Sequence, residues 1–365
     1  MIVARTLPVH MQSPCRAAEL FQEMIKKDIF VIMQLSQICC SHQYMIKTTG
    51  ISFIYFFILC LSTLSAQQKN AHSFKVLPLG VKGGLDESNL SAYMIAPEGS
   101  DNYICADAGT VRHGIDVALA GKALNGNADE VLKDQIKGYL ISHAHLDHVA
   151  GLIMNSPEDS KKNIYALPSV AAVLKDKYFT WKAWANFTNE GDLPHLDKYT
   201  YVYLKDQEKI ALTGTEMQVT ALPLSHGPSY ESTAFVISHG NNSLLYLGDT
   251  GADRIEKSND LQQLWAYIAP LIKKQQLKAI FIETSFFDKQ PEKLLFGHLT
   301  PQLLMEEMGK LAELSGLDAL KKVPVVITHM KSFGETAPEL AAELNKDNVS
   351  GFKLVFPVQG KFLLF

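Results

Sequence analysis

Cysteine is scarce in this chain of 365 residues and is concentrated near its beginning. Four of the five cysteines precede residue 61, so the rest of the chain contains only Cys105. A single cysteine cannot form an internal disulfide, and the fold must therefore depend on its hydrophobic core and on any metal ions it binds. Cys105 lies in an apolar stretch, where we expect it to be a small buried side chain.

The chain also lacks an excess of charge of either sign. Its 34 basic and 38 acidic side chains give a formal net charge of -4 at pH 7. An extended nucleic acid is disfavoured as a partner because it requires a positively charged surface, whereas a single phosphate drawn to a metal ion does not. The hydrophobic content of 47% is ample for a large core, and a single α/β domain of this size is common.

The apolar run at residues 51–61 is shorter than the roughly twenty residues that cross a membrane. Lys47 precedes the run, and small and polar residues around Ala66 follow it. This order is typical of a secretory signal peptide, whereas a buried helix would show caps and an amphipathic face. We therefore predict that residues 45–66 are a signal peptide and that the protein is exported to the periplasm, with no membrane span after cleavage.

A signal peptide should begin at the start of a chain, yet 44 residues precede this one. We interpret Met45 as the initiator and residues 1–44 as a spurious or disordered extension. The alternative is that the extension is translated and that the apolar run is an internal signal anchor. Either way, residues 67–365 form the domain that carries the chemistry.

A cluster of metal-ligand residues follows the apolar segment at residues 138–141. His143, His145 and His148 stand with Asp147 within six positions, and imidazole and carboxylate are ligands that zinc and its neighbours accept. We expect the first two histidines to point to the same side of a strand end. Asp147 and His148 should begin the next helix and turn toward a second metal.

Three further ligand residues follow later apolar strands. His226 lies just past the predicted strand at residues 217–224, Asp249 just past the one at residues 243–247, and His329 just past the one at residues 323–327. Each residue alone is weak evidence, because a lone histidine at a strand end is more often structural. Together with the first cluster they indicate a site that binds two metal ions.

The pattern of these residues resembles the metallo-β-lactamase superfamily. More narrowly, the stretch from His143 to Pro157 resembles the class II cyclic nucleotide phosphodiesterase signature along its length. The segments at residues 87–90, 107–110, 225–227, 248–251 and 297–301 add to the match. The resemblance implies an α/β fold, the four-layer αββα sandwich of the metallo-β-lactamase type.

By position, the resemblance implies that each metal has three ligands and that Asp249 bridges the pair. One metal would be held by His143, His145 and His226, and the other by Asp147, His148 and His329. Zinc is the default ion, and manganese or iron is the alternative. The resemblance also implies that His298 contacts the substrate phosphate and that Glu283 orients it, whereas a capping-turn histidine and a solvated carboxylate are the structural alternatives.

These parts predict hydrolysis of 3′,5′-cyclic nucleotides, cyclic AMP first and cyclic GMP second, to nucleoside 5′-monophosphates. Two metals would lower the pKa of a bridging water, His298 would protonate the departing 3′ oxygen, and Asp147 would orient the nucleophile. The rivals are a lactonase or RNA-processing endonuclease of the same fold, a cyclic nucleotide binding protein without turnover, and a β-lactamase. The substrate is the one partner expected, and a homodimer is left open.

The apolar patterns predict two packed sheets covered by helices in one domain. Strands are predicted at residues 75–79, 91–96, 103–107, 138–142, 199–204, 217–224, 233–238, 243–247, 279–282, 323–327 and 353–356. Helices are predicted at residues 149–155, 169–176, 255–274 and 301–314, with Pro270 kinking or splitting the third. Residues 179–196 are either a surface insertion with an aromatic plug or a rim of the active site whose rings stack on a base.

Overall fold

The computed structural model describes residues 72–84, 86–228, 230–331 and 336–365. The predicted signal peptide and the extension before it lie outside the described residues. No helix among those described is long and apolar enough to cross a membrane. Residues Ala71–Phe365 belong to one structural unit.

Two seven-stranded mixed sheets form the middle layers, in the orders β14-β1-β2-β3-β4-β5-β6 and β13-β12-β11-β10-β9-β8-β7. In each sheet, one half is antiparallel and the other is parallel. The strands are β1 (Phe74–Gly80), β2 (Ala92–Pro97), β3 (Tyr103–Ala106), β4 (Ile136–Leu140), β5 (Lys162–Ala166), β6 (Tyr199–Tyr203), β7 (Lys209–Ala211), β8 (Gln218–Ser225), β9 (Glu231–His239), β10 (Asn242–Leu247), β11 (Leu277–Glu283), β12 (Val325–Thr328), β13 (Leu354–Val355) and β14 (Leu363–Leu364).

Helices flank the sheets and connect the parallel strands. They are α1 (Arg112–Ala120), α2 (Ala128–Glu130), α3 (Leu146–Asn155), α4 (Pro168–Val173), α5 (Asp253–Glu256), α6 (Asp260–Lys273), α7 (Pro301–Ser315), α8 (Leu317–Leu320) and α9 (Thr336–Asp347), with π-helical turns at Val131–Gln135 and Leu174–Tyr178 and a 3-10 turn at Glu292–Leu294. Thr300 caps α7 by accepting a hydrogen bond from the Leu303 amide, and Pro301 is the first helical residue, as predicted.

The two faces of each central strand serve different parts of the core. In β10, Tyr246 points between the sheets, whereas Leu245 packs with the helices on the outer face. In β11, Phe281 likewise points between the sheets, and Ile282 packs with the helices on the outer face. This alternation is the two-residue period of a strand that is buried on both faces. The ring of Tyr93 in β2 lies 5.6 Å from the rings of both Tyr246 and Phe281, so aromatic contacts join the two sheets.

The fold class is confirmed, and several predicted element boundaries require correction. β4 ends at Leu140, so His143 and His145 lie in the loop after the strand and not on the strand itself. The helix predicted at residues 255–274 is indeed two helices, but the break lies at Lys257, whose φ is 57°, and Pro270 remains inside α6. Pro270 lies in the last turn of α6, and the helix continues for three residues beyond it.

Several short or polar elements were not predicted. Strands β5, β7 and β14 and helices α1, α2 and α9 fall in this group. In the irregular segment at residues 179–196, the indole of Trp184 donates to Ser156 Oγ and the indole of Trp181 donates to the Pro194 carbonyl. Both rings remain partly exposed, and these contacts favour the interpretation as a surface insertion.

Candidate metal centre and active site

The ends of strands from both sheets bring the predicted metal ligands together. The loop after β4 carries His143 and His145, while Asp147 and His148 lie in the first turn of α3, as expected. His226, Asp249 and His329 follow strands β8, β10 and β12, which run in the same direction in the other sheet. The predicted ligands therefore lie beyond the carboxyl ends of these strands, where open α/β sheets commonly bind their substrates.

His143, His145 and His226 form the first ligand cluster. The Nδ1 atom of His145 lies 3.1 Å from His143 Nε2 and 3.2 Å from His226 Nε2. Two nitrogens on one tetrahedral zinc, each about 2.05 Å from the ion, would be about 3.3 Å apart. The nitrogen separations thus fit three ligands of one metal ion.

Asp147, His148 and His329 form the second cluster. His329 Nε2 lies 3.1 Å from Asp147 Oδ2 and 3.1 Å from Asp249 Oδ2. His148 Nε2 is buried without a hydrogen-bond partner, although it lies 3.3 Å from Asp249 Oδ2. A buried imidazole nitrogen that is left unpaired and faces carboxylates has the chemistry of a metal ligand.

Asp249 lies between the two clusters. Its Oδ2 atom is 3.8 Å from His143 Nε2, 3.9 Å from His226 Nε2 and 3.1 Å from His329 Nε2. Because one carboxylate oxygen is near ligands of both clusters, its placement is that of a bridging ligand. The seven predicted metal ligands thus lie together in the structure, and their individual roles remain predictions.

Burial and charge set the protonation of these ligands. Burial lowers the pKa of His143 well below its ordinary value and lowers the pKa of His226 to about 4, so both are neutral and can donate a lone pair. Burial also opposes the charge of Asp249, but His329 and His148 outweigh it and hold its pKa well below the usual range. Burial also opposes a charge on His148, but Asp249 and Asp107 outweigh it and raise its pKa well above the ordinary value. The first cluster therefore offers neutral imidazoles, whereas His148 must release a proton when a divalent cation binds.

Asp107 orients the second cluster, a role that the sequence analysis did not assign to it. Its fully buried carboxylate accepts hydrogen bonds from the Ser142 amide at 2.8 Å, from His148 Nδ1 at 2.8 Å and from the Tyr246 hydroxyl at 2.7 Å. A carboxylate that holds the second nitrogen of a ligating histidine fixes the orientation of its ring. The residue's place directly after β3, in a motif already noted for the resemblance, was the available signal.

Two glycines, Gly83 and Gly84, contact other members of the second cluster, and the sequence analysis also missed them. A Cβ on Gly83 would lie 2.1 Å from the Cε1 atom of His329, so only glycine fits beside this imidazole. The Gly84 amide donates to Asp147 Oδ2 at 2.8 Å. His329 itself has a φ of 55°, a left-handed conformation that such packing must stabilise.

His298 lies beside both clusters and is held by Glu283, as expected for the two predicted catalytic residues. His298 Nδ1 donates to Glu283 Oε1 at 2.7 Å, and Ser285 Oγ donates to Glu283 Oε2 at 2.6 Å. Burial opposes a charge on His298, but Glu283 outweighs it and raises the pKa of the imidazole. The alternative of a solvated carboxylate is wrong for Glu283, because its side chain is fully buried.

Tyr230 contacts the first cluster. Its ring stacks on His145 at a centroid distance of 4.6 Å and an interplanar angle of 3°, and it meets the His226 ring edge-on at 6.0 Å. The Tyr178 hydroxyl donates to the carbonyl of Ala144, between the two loop histidines. Because His145 is exposed to solvent, these two tyrosines limit the motion of an otherwise accessible ligand.

The fold and the ligand clusters define the class of protein. The chain aligns with the crystal structure of the metallo-β-lactamase fold protein YhfI from Bacillus subtilis at a TM-score of 0.54 and 16% identity, over 80% of this chain and 99% of that one. It aligns with unliganded yeast PDE1 at a TM-score of 0.71 and 23% identity, over 80% of this chain and 100% of that one. The chain therefore has the metallo-β-lactamase fold, with a histidine and aspartate cluster suited to metal ions.

Sequence comparison narrows the class to a family. The model of the class II cAMP phosphodiesterases matches residues 74–341. A 3′,5′-cyclic-nucleotide phosphodiesterase of Aliivibrio fischeri is 40% identical over 321 residues, which cover 84% of this chain and 97% of that protein. This chain belongs to the class II cAMP phosphodiesterase family, and the resemblance inferred from its signature is confirmed.

Proposed function

We propose that the chain hydrolyses 3′,5′-cyclic nucleotides to nucleoside 5′-monophosphates at the site where the two ligand clusters meet. The observation that carries this proposal is the position of Asp249, whose one oxygen is near the ligands of both clusters. Membership of the class II phosphodiesterases supports the substrate class. Cyclic AMP is the first expected substrate and cyclic GMP the second.

The ligand geometry supports two divalent ions. His143, His145 and His226 would hold one, while Asp147, His148 and His329 would hold the other, with Asp249 shared. Such ions supply a hydroxide nucleophile near neutral pH and offset the charge of the phosphate. Zinc is the proposed ion because it is the default for a set of histidine and carboxylate ligands, and manganese or iron would use the same ligands.

The protein groups around the phosphate orient the reactants and move a proton. Asp147 is placed by the Gly84 amide and would orient the nucleophile as well as bind metal. Glu283 holds His298 Nδ1, which leaves the opposite nitrogen, Nε2, to carry a proton to the 3′ oxygen as the ring of the cyclic phosphate opens. The raised pKa of His298 supports this role, because the imidazole takes up a proton more readily than an ordinary histidine.

The test combines a substrate panel with metal analysis. Purified protein should hydrolyse cyclic AMP and other 3′,5′-cyclic nucleotides, and no turnover of any of them would overturn the proposal. His298→Ala should lower turnover by about 10²- to 10⁴-fold with metal content unchanged. The matched variant Asp249→Ala should lose both metal and activity. Loss of metal from His298→Ala would instead refute its assignment as the proton donor.

The same panel separates the rival functions. A lactonase or an endonuclease of this fold would cleave a lactone or an RNA in preference to a cyclic nucleotide. A binding protein without turnover would bind cyclic AMP and release it unchanged. The ligand clusters favour a hydrolytic role over simple binding, because both sets are complete and two histidines of each set lie within 3.9 Å of Asp249 Oδ2.

Export to the periplasm and a homodimer are separate proposals. The signal-like order of residues 45–66 supports export. Sequencing the amino terminus of the precursor and of the exported protein would test it, and a start before Met45 would contradict the interpretation of residues 1–44. Sedimentation of the purified protein would test the homodimer.

A further inference from the structure

Lys331 lies beside the proposed proton donor, two residues after a predicted metal ligand. Its Nζ atom is 2.8 Å from His298 Nε2. Because His298 Nδ1 donates to the Glu283 carboxylate at 2.7 Å, Nε2 carries the lone pair that accepts a hydrogen bond from the ammonium group. Among the described residues, the Lys331 ammonium therefore contacts the His298 imidazole and forms no ion pair with a carboxylate.

The local structure holds the lysine in this place. The Lys331 amide donates to the Ser285 carbonyl at 3.1 Å, and Ser285 Oγ donates to Glu283. The Nζ atom also lies 5.6 Å from the centre of the Phe286 ring, which in turn meets the His298 ring edge-on at 5.6 Å. Backbone and ring contacts thus direct the ammonium toward His298 even though the lysine is only half-buried.

The position of His298 shows which part of the site the ammonium faces. The His298 ring is 4.8 Å from the His226 ring and 5.3 Å from the His329 ring, so it touches one predicted ligand of each metal. Its Nδ1 side faces Asp249 and Glu283 at 3.8 Å and 2.7 Å, whereas its Nε2 side faces Lys331. The ammonium therefore lies on the side of the His298 ring that is turned away from Asp249 and Glu283.

The charge of Lys331 favours the binding of an anion beside it. A positive charge next to a centre built for two divalent cations is repelled by them, since charges a few ångströms apart interact strongly in a partly buried site. A phosphodiester is a monoanion whose oxygens gain further charge as water attacks. A lysine ammonium beside these oxygens would offset that charge, as cations do in other phosphoryl-transfer sites.

We propose that Lys331 is a catalytic residue that binds a non-bridging oxygen of the cyclic phosphate. On substrate binding, its ammonium leaves His298 Nε2 for the phosphate, and the freed Nε2 takes up the proton that the attacking water releases and passes it to the departing 3′ oxygen. The inference rests on the proposed function, and it adds Lys331 to His298 as a protein group that contacts the phosphate.

The test compares Lys331→Met and Lys331→Arg with the wild-type enzyme on two substrates, cyclic AMP and bis(p-nitrophenyl) phosphate. The second substrate has a leaving group that needs no proton, but it carries the same phosphodiester charge. Lys331→Met should lower kcat/KM about 10- to 100-fold on both substrates, with metal content unchanged. Lys331→Arg should recover most of the rate, and inhibition by 5′-AMP should weaken in parallel in Lys331→Met.

The matched control is Lys289→Met. Lys289 is exposed and lies 5.0 Å from the Phe287 ring, so it has the same cation–ring contact without a histidine of the site. This variant should retain the wild-type rate. A loss confined to cyclic AMP would assign Lys331 to the leaving group, and unchanged rates or lost metal in Lys331→Met would also overturn the inference. Absence of turnover by the wild-type enzyme would instead reject the proposed function.

Discussion

Gly83 offers the sharpest test of the metal centre, because it is remote in sequence from every predicted ligand. A Cβ added at this residue would lie 2.1, 2.3 and 2.4 Å from three atoms of the His329 ring. Ordinary contact begins at 3.4 Å, so the ring of His329 in Gly83→Ala must retreat by about 1.3 Å. Its Nε2 atom is already 3.1 Å from Asp147 and Asp249 oxygens, and the displacement must change both distances.

The size of this shift determines the expected effect. Metal-ligand bonds tolerate deviations of about 0.2 Å, so a ring displaced by about 1.3 Å can no longer serve as a ligand in its present geometry. We expect metal affinity in the second cluster to fall by at least the 10- to 100-fold loss that is typical when a ligand's support is removed. Overpacking should also lower the free energy of unfolding by about 1–3 kcal/mol.

The assay is metal content by mass spectrometry after dialysis at a fixed free zinc concentration, with cyclic AMP turnover measured on the same samples. Gly309→Ala is the matched control, since a Cβ at Gly309, within α7, would meet nothing within 4 Å. That variant should keep its metal and gain up to about 1 kcal/mol of stability. If Gly83→Ala retained wild-type metal content and turnover, the support assigned to Gly83 would be refuted.

Three further predictions concern two residues that contact the ligands and the metal ions themselves. Asp107→Asn should weaken metal binding about 10- to 100-fold, because a neutral amide cannot accept all the hydrogen bonds to this carboxylate; calorimetric metal titration against the exposed variant Asp101→Asn would check it. Tyr230→Ala should speed metal loss to a chelator whereas Tyr230→Phe should not, because the ring and not the hydroxyl stacks on His145. Chelation should abolish turnover of the wild-type enzyme, and added zinc or manganese should restore it; full activity in excess chelator would contradict a metal-dependent mechanism.

The grouping of the seven candidate ligands could be predicted from the sequence, because each segment that carries them follows a strongly apolar strand. The strand pattern is a local property of period two, and it places His226, Asp249 and His329 at strand ends before anything is known of the pairing. The spacing in the first loop is also local, so the start of α3 just before Asp147 and His148 could be inferred. The αββα architecture needed the resemblance, because periodicity alone does not specify the order of strands in a sheet.

The supporting residues could not be predicted from local patterns. Gly83 matters only because His329, the residue after β12, lies beside it, and Lys331 matters only because its side chain reaches His298, 33 positions away. Such contacts join distant parts of the chain and leave no periodic signal. The short strands β7 and β14 were missed for a related reason, since their pairing with a neighbouring strand, and not their own hydrophobicity, defines them.

Because the ligands are divided between the two sheets, cleavage of the chain between the sheets would separate the ligands of each proposed ion. Each proposed ion takes two ligands from the segment at residues 143–148 and the others from residues 226–329, so neither half of the chain could hold an ion with its full set. The exposed connection between β6 and β7, at residues 205–208, separates the two contributions. A protein cut there would regain tightly bound metal only when its two fragments reassemble, and metal retention would then act as a direct signal of that reassembly.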